Sequence, residues 1–166
     1  GGVVGAPPGT PPAALEGDAR QAQARFLAAG GATLDFIPED FEATEILADA
    51  LFGTGLDREI RGPSADIVRA VNRYRERGLD RRAVVALDIA SGLHADTGAC
   101  LGVAVKADLT VSFVALKRGL FTGEGPEHSG RVLFDDLGID PRARQAATPS
   151  ARRLDPAACR LPRRTR

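Results

Sequence analysis

The chain is organised around the stretch AVVALDIASG, which runs from Ala83 to Gly92. Small apolar and β-branched residues fill its first five positions, and this run ends at Asp88. A short apolar run closed by polar residues and glycine is typical of a buried strand in a parallel sheet. Ligands of open α/β sheets bind beyond the carboxyl ends of such strands. We therefore expect Asp88 and Ser91 to lie at the rim of a sheet, in a functional site.

A second strand of the same design precedes it, from Ile46 to Phe52 (ILADALF). It carries one carboxylate, Asp49, within its apolar run, and a glycine loop follows it directly. A carboxylate buried in a strand is costly unless it accepts hydrogen bonds or binds a cation. Both alternatives stay open for Asp49, and the two strands together predict one shared site.

The rest of the chain alternates between strand and helix patterns. Strands are expected over residues 1–6, 33–37, 107–114 and 131–137, and helices over residues 18–29 and 63–77. The segment from Thr122 to Gly130 is predicted to be a glycine-rich loop. This order predicts an α/β fold, in which a mostly parallel sheet carries helices on both faces.

The composition limits the classes of partner. With 22 basic and 22 acidic residues the formal charge is zero, which predicts no nucleic-acid partner. Neither a membrane-spanning apolar run nor a signal peptide is found, so we expect no membrane contact and a cytoplasmic location. The two cysteines, Cys100 and Cys159, lie far apart in sequence, which indicates a reducing compartment and argues against a cysteine-built zinc site. The two histidines, His94 and His128, are too few and too scattered for a histidine metal site, and we expect both to be loop residues and not ligands.

Domain organisation follows from a change in composition near residue 140. Residues 1–140 carry the strand and helix patterns, whereas residues 141–166 contain eight arginines and few large apolar side chains. Such a segment cannot bury enough surface to fold alone, and we expect a disordered basic linker or tail. The chain lacks methionine altogether, which suggests a piece of a longer protein.

Glycines after the first central strand suit a phosphate, because they let backbone N–H groups approach closely. The loop begins Gly53-Thr54-Gly55, but position 58 is arginine, so the full dinucleotide pattern is missing and a tight turn remains the alternative. Lys117 follows a predicted strand, where either a ligand phosphate or solvent would suit it.

Asp88 has the position and chemistry of a general acid or base. Ser91 lies close to it in sequence, but DIASG is not a nucleophile-elbow motif, so hydrolysis by Ser91 and His94 is poorly supported. An oxygen cluster that contained Asp49 and Ser91 would suit a hard cation better than zinc.

Three segments together resemble a known family: DALFGTGLDREIRGP (49–63), VVALDIASGLHADTG (84–98) and ADLTVSFVALKRGLFTGEG (107–125). They are similar to the NAD(P)HX epimerase family, which has a YjeF N-terminal-type domain. The resemblance implies a Rossmann-like, three-layer αβα fold over residues 1–140. It also implies interconversion of the R and S epimers of hydrated NADH or NADPH, a step of nicotinamide nucleotide repair.

The resemblance assigns roles to residues at matching positions. Asp88 would be the catalytic residue and would bind substrate, and Asp49 with Ser91 would bind a potassium ion. The other substrate-binding residues would be Gly53, Thr54, Gly55, Leu56, Asp57, Arg58 and Glu59. Implied partners are NADHX or NADPHX and a fused or separate ADP- or ATP-dependent dehydratase domain.

The chain departs from the family pattern at two places. Ala90 stands where the family has proline in DIPSG, and the family's asparagine- and glycine-rich loop (GNGGDG-like) is missing, since the only asparagine is Asn72. The resemblance therefore implies that the first strand is missing and that residues 1–6 match the second. The sheet edge left open would allow pairing with another chain, and so a homo-oligomer. A non-catalytic nucleotide-binding or protein-interaction module of the same fold is the alternative function.

Overall fold

The computed structural model of the chain describes residues 3–6, 17–35, 37, 44–77, 82–140, 142 and 148–154. Within these ranges, the strands and the two longer helices follow one another in the order that the sequence predicts. In chain order the elements are β1 (Val3–Ala6), α1 (Gly17–Ala28), β2 (Ala32–Asp35), β3 (Ile46–Asp49), α2 (Gly62–Arg77), β4 (Ala83–Leu87), β5 (Leu109–Phe113), α3 (Gly125–Ser129) and β6 (Arg131–Asp135). A short 3-10 helix, Arg118–Leu120, precedes α3. Most of the expected tail, residues 141–166, lies outside the described residues, as do residues 1–2 of the first predicted strand.

All strand pairs in the described residues are parallel. Strands β3, β4, β5 and β6 form a four-stranded sheet in that order, and β1 pairs with β2 in a two-stranded sheet. This arrangement confirms the predicted α/β, Rossmann-like fold. In the larger sheet Asp49 is the register partner of Ala86, and Ala86 that of Thr110. The carboxyl ends of β3, β4 and β5 therefore meet at one edge.

Helix α2 supplies much of the core. Its side chains Ile67, Val68, Val71 and Tyr74, spaced three or four positions apart or adjacent, are all buried, as the helical period predicts. They pack in one cluster with β4 residues such as Val84. Strand β3 alternates exposed and buried positions, so it turns one side to this cluster. No helix in the described ranges is long and apolar enough to cross a membrane.

Polar contacts from α2 hold the chain that leads into β5. The Asn72 side chain donates to Ala104 O (3.0 Å) and accepts from Lys106 N (2.8 Å). Arg75 pairs with Asp108 at 2.7 Å, and Asp108 also accepts a hydrogen bond from a β4 amide. Asn72, the single asparagine of the chain, therefore has a structural role, because it joins α2 to the segment that leads into β5.

The prediction of a glycine-rich loop from Thr122 to Gly130 is wrong, because this segment contains α3. Pro126 lies in the first turn of that helix, where its missing N–H costs nothing. The glycines serve close packing, since a Cβ at Gly125 would come within 1.8 Å of Gly119 O. The predicted strand from Ile46 also ends earlier, at Asp49, because its side chain accepts a hydrogen bond from the amide of Leu51.

Candidate functional site

Asp49 and Ser91, predicted to share a site, are in direct contact. Ser91 Oγ donates to Asp49 Oδ1 at 2.6 Å, and Ser91 N donates to Oδ2 at 2.8 Å. The amide of Leu51 donates weakly to Oδ1, at 3.3 Å. Both residues are almost fully buried, with 2% and 1% of their surfaces exposed. These bonds tie the end of β3 to the loop that follows β4.

Ser91 also positions the start of the glycine loop. Its Oγ accepts a hydrogen bond from Phe52 N at 2.9 Å and lies 3.3 Å from Phe52 O. Nδ1 of His94 accepts from the amides of Asp96 and Thr97, and no hydrogen bond joins His94 to Ser91 in the described part of the chain. Ser91 therefore binds a carboxylate and the backbone, an arrangement that does not suit a hydrolytic nucleophile.

Burial dominates the acid–base chemistry of Asp49. Loss of solvent raises the pKa of this carboxyl group above its usual 3.8, and the hydrogen bonds from Ser91 and Leu51 oppose that rise. Among the described residues no basic side chain forms an ion pair with Asp49. Three oxygens, Asp49 Oδ1, Ser91 Oγ and Phe52 O, lie together here and are donors of the type that hard cations prefer.

Asp88 stands at the end of β4 in an unusual backbone conformation. Its φ of 73° lies in the left-handed region, which aspartate tolerates better than most residues. Its amide donates to Val111 O at 2.7 Å, and its Oδ1 accepts from Phe113 N at 3.0 Å. Both partners belong to β5, so the neighbouring strand fixes the main chain and the carboxylate of Asp88.

Lys117 forms an ion pair with Asp88 Oδ1, and it also donates to Phe113 O at 2.7 Å. The two side chains are partly buried, with 15% of Lys117 and 26% of Asp88 exposed. The sequence left two interpretations of Lys117 open, contact with a ligand phosphate or exposure to solvent, and it did not predict the contact with Asp88. The usable signal was the order of parallel strands, which places the end of β5 beside Asp88.

The glycine loop borders a cavity of about 410 Å³, which is lined by Leu51, Phe52, Gly53, Gly55, Leu56, Asp57 and Arg58. Leu56 N donates to Gly53 O at 3.3 Å, so the loop does contain a turn. The space beside Gly53 and Gly55 is open, since an added Cβ at either would meet no atom within 4 Å. Two of the predicted substrate-binding residues, Thr54 and Glu59, are exposed and do not line the cavity. Glu59 forms an ion pair with Arg61 at 2.7 Å instead.

Comparison with known proteins places the chain in a family. Residues 4–119 match the family described as YjeF-related protein N-terminus. The chain belongs to this family. It is 43% identical over 102 residues to an NAD(P)H-hydrate epimerase of Limosilactobacillus fermentum, an alignment that covers 61% of this chain and 46% of that protein. The bifunctional NAD(P)H-hydrate repair enzyme Nnr of Coxiella burnetii is 36% identical over 141 residues, 85% of this chain and 28% of that protein. The chain thus spans less than half the length of these curated relatives.

The raised pKa of Asp49 predicts a distinct pH dependence of stability. Just above pH 3.8 the folded state keeps a proton on Asp49 that the unfolded state has released. The contribution of Asp49 to the free energy of unfolding therefore falls as the pH rises through the pKa of the folded state. In buffer without alkali-metal ions, the stability advantage of the unmodified chain over Asp49→Asn should shrink with rising pH. Urea unfolding at a series of pH values measures this difference, and a constant or growing advantage would contradict it.

Proposed function

We propose that this chain interconverts the R and S epimers of hydrated NADH and NADPH, as the epimerase part of a nicotinamide nucleotide repair system. The family membership and the names of the relatives support the choice of reaction. The observation that carries the proposal is the arrangement of Asp88, a partly exposed carboxylate fixed at the carboxyl end of a parallel strand. That is the edge of an α/β sheet at which ligands bind.

Asp88 is proposed to transfer the proton at the hydrated nicotinamide ring. Its Oδ1 is engaged by Phe113 N and Lys117, whereas within the described ranges no hydrogen bond reaches Oδ2. The free oxygen is therefore the one available to exchange a proton with the substrate. A general acid or base positioned in this way contributes about 10²- to 10⁴-fold to a rate. This factor must be measured above the spontaneous interconversion of the two epimers.

The glycine loop, residues 53–59, is proposed to hold the dinucleotide. The cavity beside this loop is open at Gly53 and Gly55, where backbone N–H groups can approach a phosphate. Arg58 lines the same cavity and offers a guanidinium group, which suits phosphate oxygens. Phe52 links the cavity to the Asp49–Ser91 pair, because its amide donates to Ser91 Oγ.

We also propose a potassium ion at Asp49 and Ser91, as the family resemblance implies. The donor set fits such an ion, because it consists of a carboxylate, a hydroxyl and the carbonyl of Phe52. The buried Asp49 carboxylate, which lacks a basic partner in the described part of the chain, would gain a compensating charge. A bound cation would hold Asp49 in its ionised form and leave Asp88 to handle the proton.

The proposed cellular setting follows from the relatives. The repair enzyme of Coxiella burnetii is bifunctional, and this chain covers 28% of that protein. We therefore propose that an ADP- or ATP-dependent dehydratase works with this chain, fused or as a partner, and consumes one epimer. The chain has only two cysteines, and they lie far apart in sequence, which agrees with a reducing compartment and supports a cytoplasmic location.

Replacing Asp88 with asparagine tests the catalytic proposal. Asn tolerates the same left-handed backbone and accepts the same hydrogen bonds, but it cannot exchange the proton. The kcat/KM for epimerisation of purified NADHX in potassium buffer should fall by about 10²- to 10⁴-fold. Decay of one epimer is followed chromatographically. Asp66→Asn, an exposed change on α2, is the matched control and should keep the full rate.

An unchanged rate in Asp88→Asn would remove Asp88 from the reaction. If the unmodified chain does not exceed the spontaneous rate, the non-catalytic nucleotide-binding alternative replaces the enzyme.

Potassium should stabilise the chain through Asp49 and Ser91. A ligand that binds only the folded state adds about 2.7 kcal/mol at a concentration of 100 Kd. We therefore expect a higher Tm in potassium chloride than in choline chloride of equal ionic strength at neutral pH. Ser91→Ala should lose this difference, since it removes one ligand oxygen. Equal Tm values for the unmodified chain in the two salts would contradict the ion site.

A further inference from the structure

A second group of ligating side chains lies outside the site described above. One ring nitrogen of His128, the Sγ of Cys100 and a carboxylate oxygen of Glu124 all lie within 4.8 Å of one another. Glu124 immediately precedes α3 and His128 lies within it, four positions later, so the two share one face. Cys100 comes from the loop after Ser91. We propose that these three residues, the Cys100 cluster, bind a zinc-like divalent transition-metal ion.

The surroundings of His128 prepare it as a ligand. Its Nδ1 lies 2.9 Å from Val105 O, and a carbonyl can only accept, so Nδ1 carries the proton in the neutral ring and Nε2 is the nitrogen that can bind a metal. The residue is buried, with 8% of its surface exposed, and Nε2 has no hydrogen-bond partner among the described residues. Histidines that bind metals are typically oriented in this way by a backbone carbonyl.

The donor set selects the kind of metal. Thiolate, imidazole and carboxylate groups together suit zinc, which binds all three at about 2.0 to 2.3 Å with four ligands. A sulfur ligand disfavours magnesium and calcium. With three protein ligands, the fourth position is left to water.

The two segments that carry the ligands are already fastened together. Gly119 N donates to Ala95 O at 2.6 Å, and Glu124 N donates to Gly98 O at 2.9 Å. A Cβ at Gly98 would lie 1.9 Å from Thr122 O, so the two backbones are in close contact. Metal binding therefore has to supply little of the free energy needed to bring the two segments together.

Completing the site requires only a small movement. Tetrahedral zinc with the bond lengths above separates its ligand atoms by about 3.3 to 3.8 Å. Each pair of ligand atoms must therefore approach by about 1.5 Å at most from the 4.8 Å limit. Glu124 can supply this movement, because its side chain is exposed and only Oε1 is engaged, by Cys100 N at 3.1 Å. A bound ion would join the loop after Ser91 to α3.

The test is titration of the full, tag-free chain with Co²⁺ as a spectroscopic substitute for zinc. One equivalent should give a near-ultraviolet thiolate-to-cobalt band and intense visible bands typical of tetrahedral cobalt, and Zn²⁺ should displace it. Cys100→Ser should abolish the near-ultraviolet band. Glu124→Gln should weaken binding by at least about tenfold, since even residues that only orient ligands contribute that much.

Matched variants distinguish the site from unspecific binding. Glu127→Gln removes an exposed carboxylate from the same helix, and Cys159→Ser removes the other thiol, so both should keep the full signal. Circular dichroism of Cys100→Ser confirms that a lost band reflects a lost ligand in a folded chain. The proposal is overturned if the unmodified chain gives no thiolate band, or if Cys100→Ser retains it. Equal loss in Cys100→Ser and Cys159→Ser would also overturn it.

Discussion

The hydrogen-bonded pair of Asp49 and Ser91 is the constraint on which the rest of the site depends. A buried carboxylate is tolerated only when its oxygens are satisfied, and Ser91 supplies two of the three bonds that do so. Each hydrogen bond to a charged group contributes about 1.5 to 3 kcal/mol, whereas an unsatisfied partner costs a similar amount. The ends of β3 and β4 are thereby fixed relative to each other. The same Ser91 hydroxyl accepts from Phe52 N, so the position of the glycine loop depends on this pair as well.

Asp88 adds a second constraint within the same ten-residue stretch. Its positive φ ends β4 abruptly, and the strain of such a conformation, about 1 to 3 kcal/mol, persists only where the surroundings enforce it. Here the surroundings are β5 and Lys117, which hold the main chain and the carboxylate. One short segment therefore carries a buried strand, a strained carboxylate and a serine that binds the neighbouring strand.

Local patterns in the sequence predict most of the larger sheet and its functional edge. Apolar runs identify β3, β4 and β5, and because parallel strands align their carboxyl ends, Asp49, Asp88 and Ser91 are expected at one edge. The helical period of α2 likewise predicts its buried face. The substrate and the ion do not follow from these patterns and come from the family resemblance.

The features that the sequence did not reveal depend on contacts between distant segments. Helix α3 was missed because its glycines suggest a loop, whereas in the structure they allow backbones to approach closely. The pairing of Lys117 with Asp88 joins residues 29 positions apart, and the Cys100 cluster joins segments 24 positions apart. Such contacts have no local period or motif: the order of the parallel strands places the end of β5 beside Asp88, but the contacts themselves are seen only in the three-dimensional structure.

A double-mutant cycle between Asp49 and Ser91 measures whether the two residues stabilise the fold as one unit. The free energy of unfolding is measured for the unmodified chain, Asp49→Asn, Ser91→Ala and the double variant. If the pair fixes the edge of the sheet, the two changes should be non-additive, with an interaction energy of about 0.5 to 3 kcal/mol. Additive losses would mean that the two residues stabilise the fold independently, and the account of this site would then be wrong.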